Sequence, residues 1–208
     1  MQNSTDKPKR PRGRPPAFDK DLVAERIVDT FWSRGYSATS LDHLSEATGL
    51  HRPSLYAAFG DKKQMYRQAL VVFADQLRAE VARALAKPDL QAALNAFYRS
   101  AIAVYTGGDD GPRGCLFVCT TAAESAEDDE LRQDLADVLK EIDAVLTQRF
   151  QQAQVDGEVD GDIDAAALGA MAGAVLHSLA VRARAGEPKA ALRRLAQTAV
   201  SGLLGQGG

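Results

Sequence analysis

The 208 residues predict an all-α fold, three short N-terminal helices ahead of a larger helical body, on three observations. Alanine dominates the apolar residues and aromatics are only 6%, a composition that favours helix over sheet. Apolar residues recur at three- and four-residue spacing from Asp19 almost to the C-terminus. No stretch shows sustained alternation flanked by turn residues, as a half-buried strand would.

Residues 1–18 place Pro8, Pro11, Pro15 and Pro16 among basic side chains and read as a flexible cationic arm. Val23, Ile27 and Phe31 then mark one face of a first helix, which Gly35 ends. Thr39 or Ser40 can cap a short second helix carrying Leu41 and Leu44, broken at Gly49. Pro53 opens a third, with Leu55 and Phe59 inward. Asp61 and Gln64 form a capping box for a long fourth helix reaching about Ala86. Further helices are expected over about 89–106, 113–126, 128–155, 163–185 and 188–204, with loops at 107–111 and 156–164. The division expected is a basic arm at 1–18, a first helical unit at 19–66 and a larger helical body at 67–208.

Charge is divided unevenly along the chain. Residues 1–67 hold 12 Lys and Arg against 8 Asp and Glu, an excess of +4, whereas residues 68–208 hold 13 against 20, or −7. A basic head on an acidic body is expected where one end meets a polyanion. Two cysteines supply no disulfide framework, and the N-terminus lacks a signal peptide's apolar core. The longest apolar run, Ala165 to Leu176, is 12 residues and too short for a bilayer span, so a cytoplasmic protein without membrane contact is expected.

Ser40 to Phe59 carries the sharpest signal. Two short helices about a glycine turn, with Leu41, Leu44, Leu50, Leu55 and Phe59 apolar, describe a helix-turn-helix. The third helix leaves His51, Arg52, Ser54, Tyr56 and Ala57 free, and Arg52 can donate two hydrogen bonds to a guanine edge. The plainer alternative is a helical hairpin with polar solvent faces.

The stretch G-L-H-R-P-S-L-Y-A-A-F-G-D-K, within a match from Phe18 to about Leu70, resembles the DNA-binding domain of the TetR family of bacterial transcription regulators. Arg113 to Glu124, R-G-C-L-F-V-C-T-T-A-A-E, also resembles a segment of some members' ligand-binding domains. The resemblance implies that Thr39, Tyr56 and Lys62 contact phosphates, with Ser40 beside them, and that Arg52, Pro53 and Ser54 lie along base edges. His51 departs from the family pattern, which favours a small capping hydroxyl there, so His51 itself becomes a candidate DNA contact. The resemblance also implies a ligand-responsive homodimer on a double-stranded operator, most often a repressor. In the arm, Arg12-Gly13-Arg14-Pro15 resembles the core of an AT-hook, whose guanidiniums suit a narrow A·T minor groove. A non-specific basic tail is the alternative.

The last two helices are expected to build the dimer. Gly169 and Gly173, with Ala166, Ala170 and Ala180 near, would let a partner helix approach, and Leu192, Leu195, Ala199 and Leu203 form a stripe on the final helix. The same small residues could instead serve packing within the chain. For the small-molecule effector, Phe73, Phe97, Tyr98, Tyr105, Phe117 and Met171 are the large apolar candidates, with Cys115, Cys119 and His177 as polar accents. Plain core is the alternative reading for each. Cys115 and Cys119 stand at i, i+4, where a redox pair is conceivable but two inert thiols fit helix geometry better.

Other chemistries are disfavoured. Asp156 to Asp164 mimics a calcium loop, but Ala167 stands where the bidentate carboxylate is needed, so a solvated loop with an Asp cap is expected. His43, His51 and His177 lack metal-ligand spacing, and no phosphate-cradling loop or nucleophile elbow occurs. No catalytic site, cofactor or metal is expected. The competing classes are a constitutive DNA-binding protein without effector and a helical small-molecule-binding protein.

Overall fold

A computed structural model describes residues 18–108 and 111–205, all helix and connecting turn, with no strand among the described residues. Arg12 and Arg14 lie outside the described residues. The helices are α1 (Lys20–Arg34), α2 (Leu41–Thr48), α3 (Arg52–Phe59), α4 (Lys62–Leu85) and α5 (Leu90–Thr106), then α6 (Ala122–Glu124), α7 (Asp129–Val155), α8 (Ala165–Arg184) and α9 (Lys189–Leu203).

Caps fix most of these boundaries. The Asp19 carboxylate accepts from the N–H groups of Asp21 and Leu22, and Asp61 and Gln64 close the expected capping box on α4. On α2 the cap is Ser40, and His43 takes the place of the usual Glu or Gln, its Nδ1 accepting from the Ser40 N–H at 3.1 Å. Gly49 is left-handed (φ 71°, ψ 8°), which lets the chain reverse between α2 and α3 without a Cβ penalty. His51 precedes α3 without a side-chain cap, and Pro53 in the first turn compensates with a preset φ.

The segment expected as helix 113–126 differs. The chain is without regular structure from Pro112 to Cys115, then winds as a π-helical turn over Phe117–Thr121 before the single turn of α6. The wider turn brings Thr120 and Thr121 together onto one buried phenol. Tyr66 Oη bonds to their hydroxyls at 2.7 and 2.8 Å. Two hydroxyls meeting a third satisfy each other where water is absent, a reason for the irregular winding. Tyr66 also packs on Phe31 and Tyr36, each at 5.0 Å between ring centres, so α4 joins the N-terminal helices to the body.

The small residues of α8 are used differently from the sequence expectation. A Cβ on Gly169 would lie 2.5 Å from Thr147 Oγ1 and 2.8 Å from its backbone nitrogen, and one on Gly173 would lie 2.4 Å from Asp143 Oδ1. Both glycines therefore seat α8 against α7 of the same chain, not against a partner helix. The α9 stripe divides too, with Leu192 and Leu203 buried and Leu195 and Ala199 only half-buried. What α8 leaves exposed is Ala166, Ala167, Ala170, Met171, Ala174, Val181 and Arg182. By length and composition α8 could cross a membrane, but its other face is packed in the protein core.

Candidate nucleic-acid interface and effector cavity

On α3, Leu55 and Phe59 are buried while His51, Arg52, Pro53, Ser54, Tyr56 and Ala57 are all exposed, Tyr56 at 47%. Periodicity separates the two sets: the buried pair is four apart, and the exposed residues fill the remaining arc. Ser40 is exposed at the start of α2, its hydroxyl already accepting from the His43 N–H. The Lys62 ammonium lies 4.4 Å from the centre of the Tyr36 ring, and partial burial lowers its pKa from the ordinary lysine value.

Thr39 is the exception among the expected phosphate contacts. It is 1% exposed, and its hydroxyl donates to the Gly35 carbonyl at 2.6 Å. Thr39 buttresses the turn between α1 and α2, and its hydroxyl has no path to a phosphate in this arrangement. Sequence reasoning also missed a partner of Arg52. Its Nε donates to Asp42 Oδ1 at 3.0 Å, and the hydrogen bond from Arg52 holds that carboxyl below the usual carboxylate range. Ten residues separate the two in sequence, so only the hairpin of α2 and α3 brings them together.

The expected effector residues separate into several places. Phe73, Phe97 and Tyr105 line one cavity of about 220 Å³ between α4 and α5, with Ser100, Gln76 and Trp32. Phe117 belongs to a different cleft, about 520 Å³, between α1, α4 and α7. Tyr98 turns toward α8, its hydroxyl donating to the Ala172 carbonyl at 3.0 Å, and is core. Met171 is 59% exposed on α8 and lines neither space, because its helical phase points away from α5 and α7. His177 is half-buried over α7; burial lowers its pKa, and the Asp143 charge opposes that shift.

Cys115 and Cys119 are free thiols beside the cavity, not in its lining. Burial pushes the Cys115 thiol up to about 11 and raises Cys119 as well, which keeps both in the poorly nucleophilic protonated form. Cys115 stands at the start of the helical turn, and the Cys119 N–H donates to its carbonyl at 2.9 Å, so the two keep the i, i+4 relation of the sequence reading.

Ion pairs tie the α4 face to α7 and its cap, with Glu130 also paired to Lys63 and Arg67. Lys63 pairs with Asp128 at 2.8 Å, Arg67 grips Asp134 through two bonds of 2.7 and 2.9 Å, and Arg78 grips Glu141 at 2.6 and 2.9 Å. Only Gly60 and Asp61 separate α3 from α4, so the two helices are directly joined.

An exposed polar face on the second helix of a helix-turn-helix, joined to an all-helical body with internal cavities, is the arrangement of a DNA-binding transcription regulator. Comparison with known proteins makes the assignment specific. Residues 25–69 match the family model described as bacterial regulatory proteins, tetR family, and residues 90–199 match tetracyclin repressor-like, C-terminal domain. The HTH-type transcriptional repressor ComR of Escherichia coli (strain K12) is 33% identical over 205 residues, covering 95% of this chain and 93% of ComR. A cysteine-substituted form of the TetR family regulator CifR, solved with 26-bp double-strand operator DNA, superposes with a TM-score of 0.82 at 32% identity, covering 90% of this chain and 98% of that one. A TetR transcriptional regulator from Chloroflexus aurantiacus J-10-fl, at 23% identity and a TM-score of 0.76, shares the fold over 87% of this chain and 91% of its own. The chain belongs to the TetR family of bacterial transcription regulators.

Proposed function

We propose that this protein is a cytoplasmic repressor, binding a pseudo-palindromic operator as a homodimer and released by a small-molecule effector. The observation that carries the reading is the exposed row His51, Arg52, Pro53, Ser54 and Tyr56 on a helix whose opposite face is buried. Relatives named as repressors, and one solved on operator DNA, support it. The division proposed is an arm at 1–18, a DNA-reading unit at 19–66 and an effector and dimer unit at 67–208. The exposed residues of α8 with Leu195 and Ala199 of α9 form the face that pairs with a second copy. Two recognition helices would then sit roughly 34–36 Å apart, one DNA turn. An effector that displaced α4 from that spacing would weaken binding.

Within the interface, Arg52 exchanges Asp42 for a guanine edge, with Pro53 and Ser54 alongside and His51 at the helix start. Tyr56, Lys62 and Ser40 position the phosphates. The Arg52→Ala variant is expected to lose operator discrimination by roughly ten-fold or more per half-site while binding to random DNA changes little. Tyr56→Phe and Lys62→Ala are expected to weaken both alike, with Lys62→Ala also reducing the salt slope. Competition titrations at several salt concentrations check this, and equal losses on operator and random DNA for Arg52→Ala would assign it to phosphate instead.

The arm supplies a second reader through Arg12 and Arg14. Lysine at both positions keeps the charge but replaces the weakly hydrated guanidinium. That variant should lose the full-length protein's preference for A·T flanks while keeping most of its affinity at low salt. An unchanged flank preference in competition binding would reduce the arm to a cationic tail.

A further inference from the structure

Two lining residues of the cavity between α4 and α5 belong to neither helix, Leu176 of α8 and Trp32. Trp32, on α1, closes part of it, so a helix of the DNA-reading unit lines a space inside the body. The indole is 7% exposed and held from several sides. Phe73 meets it edge-on at 4.8 Å, and its Nε1–H donates to the Gly114 carbonyl at 2.9 Å. The Arg113 guanidinium stands 4.4 Å from the ring centre and also pairs with Asp29 of α1 at 2.6 Å. From the end of α8, Arg184 donates to the backbone carbonyls of Trp32 and Arg113 at 3.2 and 3.0 Å.

Gly114 is the fixed point of this cluster. Its φ is +68°, and a Cβ there would lie 2.6 Å from both the Ala180 carbonyl oxygen and Cys119 Sγ. The carbonyl that Trp32 grips is thus wedged against α8, and the indole bond joins the Arg113–Asp29 pair and the Arg184 bond in fastening α1 to the body.

We infer that this cavity is the effector site and that Trp32 reads its occupancy, for a compact, uncharged, mostly apolar ligand with one hydrogen-bonding group. The inference rests on the reading of the chain as an effector-released operator binder. The volume, about 220 Å³, lies below the 300–1,000 Å³ typical of drug-sized ligands, which sets the size. Phe73, Leu77, Val81, Phe97, Val104 and Leu176 make the walls apolar. Glu80, at the mouth, is already paired with Arg83, so a charged ligand would lose hydration without gaining a free counter-charge. Exposed Gln76 and half-buried Ser100 are the uncharged polar side chains of the lining placed to hold the polar group. A ligand seated here displaces the indole, breaks its bond to Gly114 and lets α1 turn with the recognition helix. Bound and displaced indole are the two states that coupling of this kind requires.

Trp32 is the only tryptophan in the chain, so its emission reports the cavity directly. The full-length protein is titrated with benzyl alcohol, and with benzoate as the charged counterpart, on a duplex that the protein itself selects from a random pool. Benzyl alcohol should shift Trp32 emission and weaken duplex binding about ten-fold with the same half-saturation, within the range usual for coupled sites. Benzoate should do neither. Ala101→Met, which fills the cavity from α5, should weaken duplex binding without additive and abolish the shift. Trp32→Phe should still be raised in melting temperature by benzyl alcohol yet hold its duplex. Should Trp32→Phe not fold, Ala101→Met decides alone. An emission shift with unchanged duplex affinity, equal release from the Trp32→Phe variant, no response to benzyl alcohol, or normal duplex binding by Ala101→Met each overturns the inference. Failure to select any duplex would instead sink the operator-binding reading, and the contrast between benzyl alcohol and benzoate in the emission titration would still decide the cavity.

Discussion

Leucine at Gly169 is expected to unfold the helical body, not merely to separate two subunits. Its Cβ alone would meet Thr147 at 2.5 Å and the Asp143 carbonyl at 3.0 Å, and two of the three nearest atoms are backbone. Side chains can rotate away, but the α7 main chain can move only by separating the two helices. Overpacking of this kind costs about 1–3 kcal/mol where the core can give, and more where it meets backbone. Urea melts of the variant should show a midpoint well below that of the parent. A variant that melts like the parent but sediments as a monomer would restore the glycines to the dimer interface.

The second large effect is expected from the face that α8 does expose. Met171 and Val181 are 59% and 53% exposed and stand ten residues apart along one side of the helix. Glutamate at both positions adds two like charges to each copy across a two-fold axis, where burial would leave them unpaired. The double variant should remain folded, sediment as a monomer, and lose operator binding by about a hundred-fold or more, since one half-site must then hold alone. Normal dimers at micromolar concentration would place the interface elsewhere.

These two cases show what was legible in the sequence and what was not. The spacing of Gly169 and Gly173 announces a close helix approach, but spacing carries no information on which helix approaches. A neighbour in the same chain and a symmetry mate leave the same pattern. Met171 looked like pocket lining because a large apolar residue on an apolar helix has no visible phase when alanines surround it. The helix-turn-helix was legible in detail because its signals are local: Ser40, Gly49, Pro53 and Asp61 each set one boundary through their own backbone chemistry. Thr39 was assigned by its position in the motif, which could not reveal that its hydroxyl is turned to Gly35. Trp32 was invisible for a different reason. It lies beside the Val23, Ile27 and Phe31 face, and its role depends on Gly114, 82 residues away.

The pairing of Arg52 with Asp42 bears on how fast such a protein finds its site. If Arg52 reads a base edge as proposed, a guanidinium already paired would offer less to the phosphates of random sequence, and the protein would slide and dissociate more freely while scanning. The carboxylate would yield only where a guanine edge offers two acceptors in the right plane. On this view Asp42 gives up some final affinity for mobility on the chromosome. Asp42→Asn should therefore lengthen residence on random DNA and slow arrival at the operator when competitor DNA is in excess, measured by stopped-flow association. Faster arrival by that variant would show that the pair merely steadies the turn between the two helices.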